Sequence, residues 1–251
     1  MKRTRLIYAL AAVAGLAACT DVNAPSDLTD TQIAADLAQS SGDAIATDVA
    51  QAVLNEGNFA GAAALNAAGM AEDTSSLTVV RTRTCYDAQN AVIACGPGAV
   101  SMHVTAKIDG SVQRDNFSGI IHRSRDMTIT GLASGSTTRT HNGTGSSSDT
   151  TTFTGSRGTR HAEEAASDSV VNLVFHLPHA SNPWPVSGQI IRNVDATITL
   201  TRTDGTTVTR TIDRRVVVTF PADAEGNVAI QVGDLSCSLN LVTHHVTCPT
   251  S

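Results

Sequence analysis

Hydrophobic and polar residues alternate most regularly between Val186 and Phe220. From Val194 to Leu200, apolar residues occupy every second position, and Asp or Thr residues stand between them. This period of two is typical of a β-strand with one buried face. A second run rich in Val and Ile follows Thr203-Asp204-Gly205, and Asp-Gly between two such runs is a strong hairpin signal. The segment therefore predicts two long paired strands.

The same pattern selects the length of the hairpin loop. A two-residue loop would pair Leu200 with Thr209 and would mix apolar and polar positions on each face. A three-residue loop from Thr203 to Gly205, with Gly205 in the left-handed conformation, pairs Leu200 with Val208 instead. Because a slip of one residue exchanges the two faces of a strand, we expect the three-residue loop.

The β pattern continues from Leu77 almost to the end of the chain. Turn signals such as Asp109-Gly110, Asn142-Gly143 and Glu225-Gly226-Asn227 separate the segments. The Ser/Thr/Gly-rich residues 133–160 fit either long exposed strands or loops. The predicted strands are residues 77–87, 91–96, 99–109, 112–123, 125–131, 135–143, 149–156, 167–177, 186–202, 206–220, 227–232, 235–241 and 244–249.

Short connections between these strands favour an antiparallel meander, since parallel strands need long crossovers. Aromatic residues make up only 3% of the chain, so the core must consist of Val, Ile, Leu and Ala. We therefore predict a mainly β domain over residues 77–251, formed by one large curled sheet or half barrel.

An amphipathic helix is predicted over residues 29–56. Thr29 and Gln32 match a capping box, and Ser40-Ser41-Gly42 could divide the helix into two. The helix either packs on the sheet or forms a stalk that binds a partner or lies near a membrane. An Ala/Gly-rich linker follows over residues 57–76. The apolar face of the helix comprises Ile33, Leu37, Ile45, Val49 and Val53, with Ala34, Ala38, Ala44 and Ala52 beside them.

Residues 1–18 have the layout of a secretory signal peptide, with a basic start and an apolar run too short for a membrane span. The run ends in Leu16-Ala17-Ala18-Cys19, which resembles the lipobox of bacterial lipoproteins. The resemblance implies that Cys19 is diacylated and begins the mature chain, with residues 19–28 as a lipidated tether. The alternative is an ordinary signal peptide followed by a chance Cys.

The residue after Cys19 bears on the localisation. Asp there retains many such lipoproteins at the inner membrane, whereas this chain has Thr20. The resemblance therefore implies an outer-membrane lipoprotein that faces the periplasm or the cell surface. Loss of the signal removes three of the 17 basic residues and none of the 23 acidic ones, which leaves a net charge of −9. This charge argues against nucleic-acid binding and leaves membrane attachment to the lipid.

Four cysteines follow Cys19, which in an exported chain suggests two disulfides. Cys85 and Cys95 flank one predicted turn, and Cys237 and Cys248 flank another, so each pair would link the arms of a hairpin. The alternative is a zinc site formed by all four thiolates, but their spacing differs from that of a zinc knuckle.

Three groups of residues are candidates for chemistry. His161, Glu163, Glu164 and Asp168 could build a metal or general-acid site, but they also fit a solvated charged loop. His176 and His179 would face opposite sides of an extended segment, as would the adjacent residues His244-His245. Common hydrolase, zinc-protease and phosphate-binding motifs are absent. We expect no catalytic residues, no metal and no cofactor.

These features predict a lipid-anchored, non-enzymatic cell-envelope protein that offers a β-sheet surface to an envelope partner. A second hypothesis is a carrier for a lipid or another hydrophobic ligand, because a curled sheet under a helix looks like the lipoprotein-carrier half barrel of the bacterial envelope. An envelope hydrolase with an unrecognised site near His161–Asp168 or His176–His179 is the third. The carrier cavity would be lined by Ile190, Val194, Ile198, Leu200 and Val208.

Overall fold

A computed structural model of the chain describes residues 30–55, 76–114, 116–155, 158–179 and 183–249. The predicted signal peptide, Cys19, the tether, Thr29 and nearly all of the 57–76 linker lie outside these residues. The elements are α1 (Asp30–Asn55), β1 (Ser76–Tyr86), β2 (Val92–Ile93), β3 (Ser101–Arg114), β4 (Phe117–Thr130), β5 (Thr138–Gly155), β6 (Gly158–His176), β7 (Pro185–Arg202), β8 (Thr207–Phe220), β9 (Asn227–Val232), β10 (Leu235–Asn240) and β11 (Val246–Thr247).

The strands form a single antiparallel sheet in the order β11-β10-β9-β8-β7-β6-β5-β4-β3-β1-β2. Each strand from β3 to β11 is bonded to its neighbours in sequence, as the short connections predict, and β2 folds back onto the outer edge of β1. The prediction of a mainly β antiparallel meander with an N-terminal helix is confirmed.

The hairpin of β7 and β8 has the predicted register. Leu200 pairs with Val208 and Ala196 with Ile212, so apolar residues of both strands share one face. Gly205 has φ of +84°, and its N–H donates to the carbonyl of Arg202 over 3.0 Å. The three-residue loop is therefore confirmed.

Two predicted turns are wrong. Asp109-Gly110 lies inside β3, and Asn142-Gly143 lies inside β5, where it forms a bulge against β6. A Cβ on Gly143 would overlap the carbonyl oxygen of Asp126 and lie 2.8 Å from the Cα of Met127. Gly143 thus allows β4 to approach closely and does not turn the chain.

Other strand boundaries also differ from the predicted ones. The predicted strand 112–123 is divided between the end of β3 and the start of β4, and the predicted strand 125–131 continues β4 to Thr130. The predicted strands 135–143 and 149–156 merge into β5. Residues 158–166, which the sequence suggests are a loop, belong to β6. The predicted strands 91–96 and 244–249 shrink to two residues each. Long pairing with both neighbours, interrupted only by local bulges, keeps β4, β5 and β6 extended through Ser, Gly and charged residues.

Helix α1 runs without a break through Ser40-Ser41-Gly42 and packs on the sheet, in contact with β7, β9, β10 and β11. Ser41 and Gly42 are buried, and a Cβ on Gly42 would lie 2.7 Å from Cγ2 of Val246. Glycine therefore lets the helix lie close to β11, which offsets its low helix propensity. Of the predicted apolar face, Ile33, Leu37, Ala38, Ala44, Ile45, Val49 and Ala52 are buried.

The sheet has two unlike faces. The face that α1 contacts, here called the covered face, carries the hydrophobic core, including Phe175, Ile190, Val194 and Ile230. The opposite open face is rich in Ser and Thr, as its period-two pattern predicts. Cross-strand hydrogen bonds link its side chains, including Thr82–Thr105 (2.6 Å), Ser124–Ser146 (2.8 Å), Thr199–Thr209 (3.1 Å), His103–Asp126 (2.6 Å) and His122–Asp109 (2.8 Å).

Both predicted disulfides are present. Cys237 and Cys248 join β10 to the chain after β11, with Cα atoms 4.3 Å apart. Cys85 and Cys95 have Cα atoms 5.1 Å apart, although the residue directly opposite Cys85 in the register is Ile93. Both bonds hold the short strands at the two ends of the sheet, where few backbone hydrogen bonds are available.

Candidate functional site: a buried charge network

Charged side chains occur on the covered face, where the alternation of β4 to β7 would normally place apolar residues. They belong to neighbouring strands, so cross-strand pairing brings them together beneath α1. We call them the buried charge network. Its members are Asp48 on α1, Arg125 on β4, Ser147 on β5, Glu164 and Asp168 on β6, and Arg192 on β7.

Arg192 is the centre of the network and is only 1% exposed. Its Nη1 donates to both carboxylate oxygens of Asp168, over 3.0 and 3.2 Å. Its Nη2 donates to Oε1 of Glu164 over 2.6 Å and to Oγ of Ser147 over 3.0 Å. Four acceptors on two strands therefore fix one guanidinium in the interior.

Arg125 joins the helix to the sheet. Its Nε and Nη2 donate to the two carboxylate oxygens of Asp48 over 2.9 and 2.7 Å. Its Nη1 lies 2.9 Å from Oδ2 of Asp168, the residue that also binds Arg192. Bidentate arginine–carboxylate pairs are directional as well as strong, so this contact orients α1 on the sheet.

The environment of both guanidinium groups favours their charged form. Burial by itself would lower the pKa of Arg125, but ion pairing with Asp48 and Asp168 outweighs it and raises that pKa. The pKa of Arg192 is likewise raised, because Asp168 and Glu164 together overcome the effect of burial. These opposing effects are those expected for buried ion pairs, in which attraction must offset desolvation.

A second ion pair lies beside the network on β4 and β5. Arg123 donates through Nε and Nη2 to Oδ2 of Asp149, over 3.2 and 2.8 Å. The other oxygen of Asp149 accepts the backbone N–H of His122 at 3.4 Å. Each carboxylate on this part of the covered face thus has an arginine partner.

A cavity of about 30 Å³ adjoins the network. It has room for about two water molecules, by the volume that a buried water needs. Asp48, Arg125 and His141 supply its polar wall, and the rest is apolar. The carboxylates beside it are occupied by guanidinium groups, and the volume is too small for a substrate. The arrangement is suited to holding α1 in place and to binding water.

The predicted cluster of His161, Glu163, Glu164 and Asp168 is divided between the two faces of β6. Glu164 and Asp168 join the network on the covered face, while His161 and Glu163 lie on the open face. There Nδ1 of His161 is 3.1 Å from Oγ1 of Thr152. The interpretation as a solvated loop is wrong, because these residues form a strand with alternating burial.

The other histidines do not converge. His176 is exposed, whereas His179 makes an edge contact with the buried ring of Phe175, with ring centroids 5.4 Å apart. His244 is partly buried, which lowers its pKa, and its carbonyl accepts a hydrogen bond from Gln39. Among the described residues, no group of three His, Cys, Asp or Glu side chains could hold a metal ion.

Sequence reasoning missed the arginines of the network. The signal was present, because Arg192 follows Ile190 and precedes Val194 in the apolar phase of β7. A charged residue in that phase must be buried with a partner or must interrupt the face. The partners could not be assigned, because Asp48 and Arg125 are 77 residues apart and meet only through the fold.

Comparison with known proteins gives no relationship: no protein-family model, no curated protein and no solved structure matches the chain. Within the described residues, no helix combines the length and apolar character needed to cross a membrane.

Proposed function

We propose that the protein is a lipid-anchored, non-enzymatic component of the bacterial cell envelope, which presents its β-sheet as a binding or scaffolding surface. The anchor rests on the lipobox-like Leu16-Ala17-Ala18-Cys19. Diacylation of Cys19 would attach the chain stably, since several acyl chains suffice for this. The predicted location of the protein is the outer membrane.

The observation that carries the proposal is the contrast between the two faces of the sheet. The covered face is filled by the core and by α1, whereas the open face exposes hydroxyl and charged groups over most of the sheet. A broad, hydrogen-bonded polar surface on a rigid sheet is suited to contact with another macromolecule. Its cross-strand bonds fix the side chains before a partner arrives, which lowers the entropic cost of binding.

The filled interior favours this function over a carrier. Ile190, Val194 and Ile198, which would line a ligand cavity, are buried in the core. The cavity of about 30 Å³ is far below the several hundred Å³ that ligand pockets usually have. The divided positions of His161 and Asp168 also disfavour a hydrolase site there.

Photocrosslinking of the full-length protein in its bacterium tests the proposal. A photoreactive residue at Ser148 or Asn193, both exposed on the open face, should give discrete crosslinked products. The control position is Ser134, which is exposed in the connection between β4 and β5. Equal crosslinking from all three positions, or none from the open face, would contradict a binding role.

The lipid anchor is tested separately. Cys19→Ala should release the protein from the membrane fraction, and retention there would contradict the anchor.

A further inference from the structure

Among the strands that the structure describes, β8 has hydrogen-bonded neighbours on both sides only in its second half. β7 pairs with it from Thr207 to Phe220, but β9 pairs only with Val216–Thr219. Pairing with β9 ends at the turn after Val232, where the N–H of Gly233 donates to the carbonyl of Arg215 over 3.3 Å. We call the open stretch Thr207–Arg214 the β8 edge; it is about 27 Å long at the usual rise per residue.

The β8 edge offers backbone groups for further pairing. In an antiparallel sheet, alternate residues direct their N–H and C=O groups to the same side. The carbonyl of Arg215 points toward β9, and the register against β7 is unbroken along the β8 edge. The backbone N–H and C=O groups of the odd-numbered residues therefore point away from β7, toward solvent. These residues are Thr207, Thr209, Thr211 and Asp213, and all four are exposed.

The side chains of the β8 edge are cationic on the covered-face side, whereas the open-face side carries threonines and Asp213. Arg210 and Arg214 lie on the covered-face side of β8 and flank the buried Ile212, and both are exposed. In the part of the chain that the structure describes, neither guanidinium forms an ion pair with a carboxylate. The covered-face side of the β8 edge is therefore positive, although the chain has a net charge of −6. It attracts a partner of opposite charge and repels one of like charge.

Charge disfavours a second copy of this chain as the partner in the register that places Ile212 opposite Ile212, because Arg210 of each copy would then face Arg214 of the other. Like charges directly opposite each other destabilise a strand pair. A register with Thr211 opposite Thr211 avoids this contact but places Arg210 opposite Ile212 and Arg214 opposite Val208, so neither arginine gains an acidic partner. Arginines on an open edge also protect against aggregation, and the same charges suit an acidic strand.

We propose that the β8 edge binds an extended acidic segment of another envelope protein, which adds to the sheet as an antiparallel strand. This proposal rests on the binding role proposed above and names the partner's chemistry. The partner segment has acidic residues four positions apart, opposite Arg210 and Arg214, and a small apolar residue midway between them, opposite Ile212. Backbone bonds supply affinity, and the alternating side chains supply specificity.

A labelled seven-residue peptide tests the geometry against the full-length protein in detergent micelles. It has glutamate at positions two and six, valine at position four and threonine elsewhere. Fluorescence anisotropy should show saturable binding that weakens as salt is raised, because exposed charges are screened. Replacing both glutamates with lysine, or introducing Arg210→Glu with Arg214→Glu, should weaken binding about tenfold or more. Lys107→Glu on the open face of β3 is the matched control and should leave binding unchanged.

N-methylation separates strand addition from simple charge attraction. The amides of peptide positions three and five would point to the β8 edge, opposite Asp213 and Thr211, whereas that of position four would point away. Methylation at three and five should abolish binding, and methylation at four should be tolerated.

Three results with the peptides would overturn the proposal: equal binding of both methylated peptides, binding of the lysine peptide as tight as that of the glutamate peptide, or no binding at millimolar peptide. So would a dimer of the protein that the two arginine substitutions dissociate. Persistent crosslinks at Ser148 and Asn193 in any of these cases would leave the broader binding role standing.

Discussion

Arg192 shows how much of the interior depends on a single residue. Its guanidinium is enclosed by Asp168, Glu164 and Ser147, and only Nε lacks a hydrogen-bond partner among the described residues. A buried ion pair adds little net stability, since desolvation offsets attraction, but removing one partner leaves the other charge buried and unpaired. The network therefore contributes mainly to the unique position of the strands and the helix.

We predict that Arg192→Met lowers the free energy of unfolding by about 3–5 kcal/mol, because Glu164 loses its arginine and Asp168 loses one of two. Urea unfolding with the disulfides intact measures the change. Lys107→Met, at an exposed position, is the control and should stay within about 0.5 kcal/mol of the wild type. A loss below about 1 kcal/mol for Arg192→Met would show that the network relaxes around the gap.

At the residue scale, sequence reasoning succeeded where the chemistry is local. The cysteine pairs and Gly205 follow from short spacings, and the structure has them as predicted. His161 and Asp168 form one candidate cluster in the sequence only because they lie near each other along the chain. Their positions differ by an odd number, so a strand places them on opposite faces. This argument from odd and even positions applies only to a strand, so the interpretation of the segment as a loop does not reveal it.

At the scale of elements, glycine has two roles that the sequence does not distinguish. Gly205 turns the chain, whereas Gly143 lies in a strand and lets a neighbouring backbone approach. Both follow Asp or Asn, the usual mark of a turn. Only the partner strand decides between the roles, and β4 is found by tertiary pairing. Thus the existence of β5 could be predicted, but its continuity through residue 143 could not.

We predict that Gly143→Ala destabilises the protein by about 1–3 kcal/mol, the usual cost of overpacking a close contact. The new Cβ would overlap the carbonyl oxygen of Asp126 and approach the Cα of Met127 at 2.8 Å, so backbone must move. Thermal unfolding followed by circular dichroism measures the effect. Gly96→Ala is the matched control, since a Cβ there has no atom within 4 Å. Equal stability of the two variants would contradict the close approach.

At the scale of the whole molecule, alternation predicts one broad sheet and short turns predict its strand order. The sequence leaves the position of the helix open, because an amphipathic helix can pack on a sheet or bind a partner. The contacts of Gly42 with Val246 and of Asp48 with Arg125 place it on the covered face. These contacts join residues about 80 to 200 positions apart, which is why no local pattern could indicate them.

The choice between a scaffold and a carrier is also a question about the whole molecule. In the part of the chain that the structure describes, a core of Ile, Val and Leu side chains around a cavity of about 30 Å³ has no room for an acyl chain beside the buried charge network, unless α1 moves away from the sheet. The Arg125–Asp48 pair opposes such a movement. We therefore predict that the chain from Thr20 onward, purified from the periplasm, carries no ligand.

Native mass spectrometry measures this directly. The expected mass is that of the bare chain less four hydrogens, one pair for each disulfide. Asp48→Asn should weaken the attachment of α1 to the sheet and serves as a control. If a ligand cavity could open beneath α1, this variant would take up lipid more readily than the wild type. A lipid adduct on the wild-type chain would establish a carrier and would contradict the filled interior. A bare mass for both proteins is what a scaffold predicts, since its binding surface lies outside the core.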